Sequence, residues 1–551
     1  MKKAIVSIVT VIVTIILIVG IYFGVQLIIK YTPSKERMQA DAWFGVSGDE
    51  VAILYRDNLL DITGIYQDGH VYLPLTWVSA ALNGRFYWDE GGRQLIYTLP
   101  DQIVYAGFDT IGSSGAPLLI EAGDEIYLLT GMIASYTDIR AEAYTESDVK
   151  RIFVDDRWEQ TEKAAIKKEG SVRVLGGIKS AVLTSVAVED KVTVLGRMEE
   201  WSYVRTADGF LGYIENKRLG EVASELQVST FIPPVYTSIS LDEEICMVWH
   251  QLTVEDANSK LEELIANTDG VNVIAPTWFM LTDNSGGYDS LASRSYVEKA
   301  HSLGLQVWAT LDNFNRGDNV QSEILFADTD ARRRLIDSLI TEVKDLKIDG
   351  INLDVEGIKP EAGPHYVQFI RELSIDCRKE GIILSVDTYV PSAYTEFYNR
   401  REQGIVVDYV VIMAYDEHYA GSDPGSVSSI GFVEKGITDT LAEVPREKLI
   451  CALPFYMRLW QDDNGEVTSR ALGINGGRNW IRENSVELYW QEELAQFYGE
   501  KEINNIKYMI WQEEEESLSR KIEAVRKNEL AGAAYWRLGL DSKDIWETVK
   551  P

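Results

Sequence analysis

The sequence predicts an α/β chain whose C-terminal part is a (β/α)8 TIM barrel. Over residues 237–551, strand-like apolar runs alternate with helix-like runs, the order of βα units around a parallel sheet. Eight such runs fall within about 300 residues, inside the size range of that barrel. An open doubly wound sheet would begin with a Gly-rich turn, and none is present there. The predicted strands are 245–250, 271–276, 306–311, 350–355, 382–388, 409–415, 449–454 and 532–538. Between residues 464 and 508 an insertion interrupts the last repeats.

At 551 residues, the chain has room for several domains ahead of the barrel. Residues 4–29 are almost wholly apolar and carry no charge, long enough to span a bilayer. Lys2 and Lys3 precede this run, and Lys30, Lys35 and Arg37 follow it. The run is too long for the apolar core of a cleaved leader. It reads as an uncleaved transmembrane signal anchor with the bulk of the protein outside the cell membrane. Next, residues 41–163 read as an α+β spacer or cell-wall-binding module. Within it the order strand, short helix, strand occurs at 71–97 and again at 126–154, a weak duplication. The first copy, with Trp88-Asp89 before its last strand, is similar to the small domain named after the copper amine oxidase N-terminus. That likeness implies no copper, because no His or Cys cluster is present to bind it. Residues 171–220 are β-rich. Their run W-x-x-V-R-T-x-x-G-x-x-G-Y-I, from Trp201 to Ile214, resembles the bacterial SH3-like domain of wall hydrolases. The resemblance implies peptidoglycan binding or packing on a catalytic domain; a plain spacer is the other reading. A polar linker, 221–236, ends in Pro233-Pro234.

Composition removes some function classes. A net charge of −33 argues against a basic face for nucleic acid or anionic lipid. Three widely spaced cysteines give neither a disulfide framework nor a zinc pattern, and the five histidines form no ligand pair. No metal and no cofactor is expected.

Chemistry is concentrated at residues 347–356. On a strand, Asn352, Asp354 and Glu356 point the same way, with the two acids roughly 7 Å apart at Cα. Acids seldom enter a buried strand without a task. A neighbouring like charge raises a carboxyl pKa, so Glu356 can stay protonated near neutrality as a general acid while Asp354 stays ionised. Asp349-Gly350-x-Asn352-x-Asp354-x-Glu356 resembles the D-G-x-D-x-D-x-E signature of family-18 glycoside hydrolases. Asn352 stands where chitinases have Asp, a form similar to the spore-cortex and cell-wall N-acetylglucosaminidase branch. Met413-Ala414-Tyr415-Asp416 resembles the family's M-x-Y-D. Pro454-Phe455-Tyr456-Met457-Arg458-Leu459-Trp460 resembles P-F-Y-G-R-x-W, with Met457 in place of Gly. Trp536 closes the eighth strand.

The resemblance implies a retaining, substrate-assisted hydrolase. Glu356 would be the acid and base, Asp354 would orient the acetamido N–H, and Tyr415 would donate to the acetamido oxygen. Asp349, Asn352, Met413, Asp416, Tyr456, Arg458 and Trp536 would contact substrate, Trp536 as the apolar floor. With Asn352 unable to ionise, Asp349 and Asp354 would carry the strand's charge. The substrate implied is peptidoglycan or another N-acetylglucosamine glycan; chitin hydrolysis, or sugar binding without turnover, are the alternatives. The acidic run at 513–516 reads as a helix start, with Glu514 in a cap or lining the cleft.

Overall fold

The computed structural model describes residues 2–314 and 319–550. It divides into two compact units, Met1–Phe86 with Ala106–Pro233, and Tyr87–Tyr105 with Pro234–Pro551.

The first unit begins with the helix Lys2–Tyr31, none of whose side chains is buried. At 1.5 Å per residue its 30 residues reach about 45 Å. Among the described residues it is the one helix long and apolar enough to cross a membrane. A seven-stranded sheet follows, with Glu50–Tyr55 inside it, parallel to Lys150–Asp155 and antiparallel to Asn58–Gln67. Both copies of the duplication keep their first strand and helix: His70–Pro74 then Leu75–Leu82, and Glu125–Leu129 then Thr130–Tyr136. Their last strands part company. Lys150–Asp155 joins this sheet, whereas Gln94–Thr98 belongs to a three-stranded sheet whose residues 87–105 lie with the barrel. The cause is local anchoring: Thr329 donates to Asp89 at 2.8 Å, and Arg332 to the Tyr87 hydroxyl at 3.4 Å.

The β-rich module is larger than residues 171–220. Gln160–Ile166 and Leu219–Leu226 both pair into its seven-stranded sheet, so the module already includes residue 160. Ala164, Val172, Val192, Val204 and Ile214 are in its core. Trp201 is only 7% exposed and serves packing. Residues 227–241 have no regular structure and form the link to the barrel.

In the second unit all eight predicted strands form. They are β1 (Ile245–His250), β2 (Val273–Leu281), β3 (Gln306–Asp312), β4 (Gly350–Asp354), β5 (Ile383–Tyr389), β6 (Tyr409–Met413), β7 (Leu449–Pro454) and β8 (Gly532–Trp536). They pair in parallel in that order, and β8 closes on β1. Alternation sorts their side chains. Ile351, Leu353, Leu384 and Val386 face the helices, while Trp308, Ile383 and Tyr409 fill the barrel's interior. Gly350 is required in that interior. A Cβ there would lie 2.8 Å from Trp308 Cδ1 and 3.0 Å from the Ile383 carbonyl.

The helix before β4, Thr329–Leu346, buries Leu335, Ile336, Leu339 and Val343 on one face. The Asp328 carboxylate caps it, accepting from the Ala331 N–H, and Lys347 ends it in the left-handed conformation at φ 61°. That stop turns the chain directly into β4. After β7 the insertion begins earlier than residue 464. Tyr456–Asp463 is already the first strand of a five-stranded antiparallel sheet that runs to Gln512. The following helix, Glu515–Lys527, takes Glu514 as its cap in a capping box with Ser517, so that acid serves the helix. Glu513 is buried and paired with Lys521.

Candidate active site

The carboxyls meet at the C-terminal ends of the strands, and the barrel's register explains why. Asp312 on β3 pairs with Asp354 on β4. On the other side Asn352 pairs with Ser385 and Leu353 with Val386, which sets Asp387 on the next rung beside Asp354. Below this row of acids lies a polar layer of Thr310, Asn352 and Ser385, all fully buried.

Asn352 saturates that layer. Its Oδ1 accepts from Trp249 Nε1 at 3.0 Å and from Thr310 Oγ1 at 3.1 Å. Its Nδ2 donates to Ser385 Oγ at 3.0 Å and to Asp387 Oδ1 at 2.8 Å. All four capacities of the amide are thus met by protein. Asn352 is placed beneath the site and has nothing left to offer a ligand, contrary to the expected substrate contact. Asp349 is at the opposite end of β4. It accepts from the Val307 N–H at 2.8 Å and lies 2.8 Å from His301 Nε2. The structure therefore removes it from the site and from any role in the strand's charge.

Glu356 lies two residues past β4 and is held by its neighbours. Asn313 Nδ2 donates to the Glu356 carbonyl at 2.8 Å, and the Glu356 N–H donates to Asn313 Oδ1 at 3.0 Å. The Tyr398 hydroxyl steadies the preceding carbonyl of Val355 at 3.4 Å. Burial raises the Glu356 pKa; a hydrogen bond from the Tyr389 hydroxyl opposes the rise, and the charge of Asp416 adds to it. Asp354, 4% exposed, is pushed well up by burial and then by Asp387, Glu356 and Asp312. Asp387 is also pushed well up by burial, against the pull of the Asn352 amide. Several acids crowd a dry site, and protons are the means by which they coexist.

The remaining residues form the rim. Met413, the last residue of β6, is buried opposite Tyr389. Tyr415 packs against the barrel's inner core, and burial together with Asp354 keeps its hydroxyl protonated. The Tyr456 hydroxyl donates to Asp416 at 2.6 Å, and Arg458 Nη2 is 3.9 Å from the same oxygen. Trp536 closes β8, half-buried, with its ring centre 5.7 Å from that of Trp249. The departure at Met457 leaves the backbone an ordinary strand. Its side chain is fully buried against Gly477 of the helix Ile474–Glu483, where a Cβ would strike the methionine sulfur.

Sequence reasoning missed Asp312, Asn313, Asp387, Tyr389 and Trp249. The signal was available, since Asp312 and Asp387 also sit at the C-terminal ends of predicted strands. Among the described residues no group of three or more His, Cys, Asp or Glu is placed to hold a metal ion.

Residues 299–541 match the model of glycosyl hydrolases family 18, and the barrel is a glycoside hydrolase domain of that family. The chain is similar to the cortical fragment-lytic enzyme of Bacillus subtilis, 27% identical over 46% of this chain and 61% of that one. It is similar also to the uncharacterized glycosylase YvbX of Bacillus subtilis, 25% identical over 51% of this chain and 84% of that one. It thus spans less than two thirds of the first relative and most of the second. The crystal structure of the Bacillus cereus spore cortex-lytic enzyme SleL shares the fold, with TM-score 0.51 and 18% identity over 59% of this chain and 77% of that one.

Proposed function

We propose that this protein is a retaining N-acetylglucosaminidase that cleaves peptidoglycan glycan strands by substrate-assisted catalysis. The observation that carries the reading is the pairing at one strand end of Glu356, a carboxyl held toward its protonated form, with the buried Asp354. Two acids on one strand cannot flank a sugar ring as a nucleophile and an opposing acid do. The attacking group is then the substrate's own 2-acetamido oxygen. Glu356 protonates the leaving glycosidic oxygen while that acetamido oxygen closes on the anomeric carbon. Asp354 accepts the acetamido N–H and balances the cationic ring that forms. Tyr415, kept as a neutral phenol, donates to the acetamido oxygen. Water then opens the ring as Glu356 takes its proton, and configuration is retained. Asp416, Tyr456, Arg458 and Met413 line the sugar's rim, and Trp536 stacks beneath it.

The names of the cortex-lytic relatives support peptidoglycan as the glycan. The apolar helix at the N-terminus supports a single-pass anchor in the cell membrane with the barrel on the wall side. We read the β-rich module around residues 171–220 as an SH3-like domain that holds the wall, and the preceding sheet as a spacer.

The test is digestion of purified peptidoglycan by the fragment lacking residues 1–35, with mass spectrometry of the products and chitin oligomers in parallel. New reducing ends at N-acetylglucosamine are expected. Glu356→Gln should lower turnover by about 10²–10⁴-fold while sugar binding persists. Cleavage of neither glycan by the wild-type protein overturns the hydrolase reading.

A further inference from the structure

Asp387 belongs to none of the motifs above, yet it stands beside Asp354 on the neighbouring strand. Adjacent strands run about 4.8 Å apart, and both side chains point inward, because Leu353 and Val386 face the helices. Asp387 is 2% exposed and Asp354 4%. Two full negative charges in such a place are strongly disfavoured. The titratable groups around the pair are Asp312 from β3, Glu356 after β4, Tyr398 after β5, Tyr415 after β6, and Tyr366 from the helix Gly363–Glu380. All are acids or phenols. Among the described residues no Lys, Arg or His acts on either carboxyl. A proton is therefore the available neutraliser.

Asn352 dictates where that proton goes. Trp249 and Thr310 fix its carbonyl, so its amide must donate to Asp387 Oδ1. Asp387 Oδ2 and Asp354 Oδ1 remain buried without a hydrogen-bond partner in the protein. A single proton between the two carboxyls satisfies both.

We propose that Asp387 is a positioning residue that shares one proton with Asp354 and takes it up when Asp354 must act as a carboxylate. In that step the O–H bond of Asp354 breaks and one forms on Asp387. The negative charge moves the opposite way, and no other reactant is involved. Asp354 then meets the acetamido group fully charged as that group becomes cationic. The carboxyl absent from β4 at Asn352 is thus supplied from β5. This role rests on the assignment of Asp354 proposed above; the shared proton itself does not.

The experiment uses the full chain in detergent, with peptidoglycan as substrate. In Asp387→Asn, kcat should fall by about tenfold or more with KM little changed. Its acidic limb should move to lower pH, because Asp354 loses a like charge. The exchange Asn352→Asp with Asp387→Asn returns a carboxyl from the other strand and should restore both kcat and the limb. Independently of turnover, pH-difference infrared spectroscopy of the wild-type protein should show a buried protonated carboxyl at neutral pH that Asp387→Asn removes. Wild-type activity and titration in Asp387→Asn overturn the proposal. So does the absence of that carboxyl band from the wild-type protein. Should Asp387→Asn fail to fold, the exchanged pair decides, and a folded exchange variant without a restored limb overturns it. A wild-type protein that cleaves nothing refutes the hydrolase reading alone, and the infrared result still decides the shared proton.

Discussion

Replacing Tyr389 with Phe isolates the hydroxyl that opposes burial in setting Glu356's proton affinity. The Tyr389 hydroxyl donates to the Glu356 carboxyl and accepts from the Gly357 N–H at 3.1 Å. A hydrogen bond to an ionised acceptor is worth about 1.5–3 kcal/mol. At 1.36 kcal/mol per pKa unit, its loss shifts a carboxyl by roughly 1–2 units. The sign follows from which form the bond favours. The hydroxyl stabilises the charged carboxylate, so its removal lets burial and Asp416 push the pKa higher still. A general acid with a higher pKa keeps its proton to higher pH. The alkaline limb of kcat/KM should therefore move up by about 1–2 units. Glycan release, measured across the pH range on one substrate, reads the limb directly. Tyr398→Phe is the control, since that hydroxyl bonds the Val355 carbonyl at 3.4 Å. It should leave the limb in place. A limb that stays put or moves down in Tyr389→Phe refutes the argument, because the titrating group would then not be Glu356 or would not depend on Tyr389.

Two further substitutions test other parts of the molecule. Asp354→Asn should abolish turnover and stabilise the fold. The folded pKa of Asp354 lies above its unfolded value, so the group's contribution is complete below the ordinary carboxylate pKa and is lost as pH rises through the folded one. The variant's advantage in thermal unfolding should widen with pH, to about 0.5–2 kcal/mol near neutrality; an advantage largest in acid would contradict this. Glu372→Ala leaves Arg332 buried without its charge partner, a pair 2.9 Å apart with both side chains fully inaccessible. Denaturant melts should show a loss of about 3–5 kcal/mol, and a loss below 1 kcal/mol would mean that Arg332 finds water or another acceptor.

The barrel was legible because its strands are short apolar runs broken by helical periodicity, a local signal. Strand ends were legible to within two residues for the same reason, except that β2 runs on to Leu281. Domain edges were less so. Gln160–Ile166 reads as a polar, weakly alternating segment, and only its pairing with Leu219–Leu226 shows it to be part of the β-rich module. Residues 87–105 resembled the close of a repeat, yet their loyalty is decided by Asp89 and Tyr87 meeting Thr329 and Arg332, more than two hundred residues later. Met457 looked disruptive against its motif. The sequence shows no sign that Gly477, twenty residues on, has made room for it.

The site divides along the same line. Glu356, Asp354, Tyr415 and Asp416 were visible because each sits in a contiguous motif. Asp349 misled because contiguity says nothing about which end of a strand a residue occupies. It precedes β4, and Asp354 ends it about 17 Å further on at 3.3 Å per residue. Asp312 and Asp387 were passed over for the opposite reason: each ends a predicted strand, but no contiguous motif ties it to Asp354. Their nearness to Asp354 comes from parallel pairing across β3, β4 and β5, and such pairing links residues more than thirty positions apart. The loss of an acid at position 352 therefore cannot be judged on its own strand. A parallel barrel brings neighbouring strands to one level, so a carboxyl can move sideways by one strand and still face the same partner. Asn352 is what makes this work here. As an amide with both N–H groups committed, it hydrogen-bonds Asp387 without adding another charge to a row that already has too many.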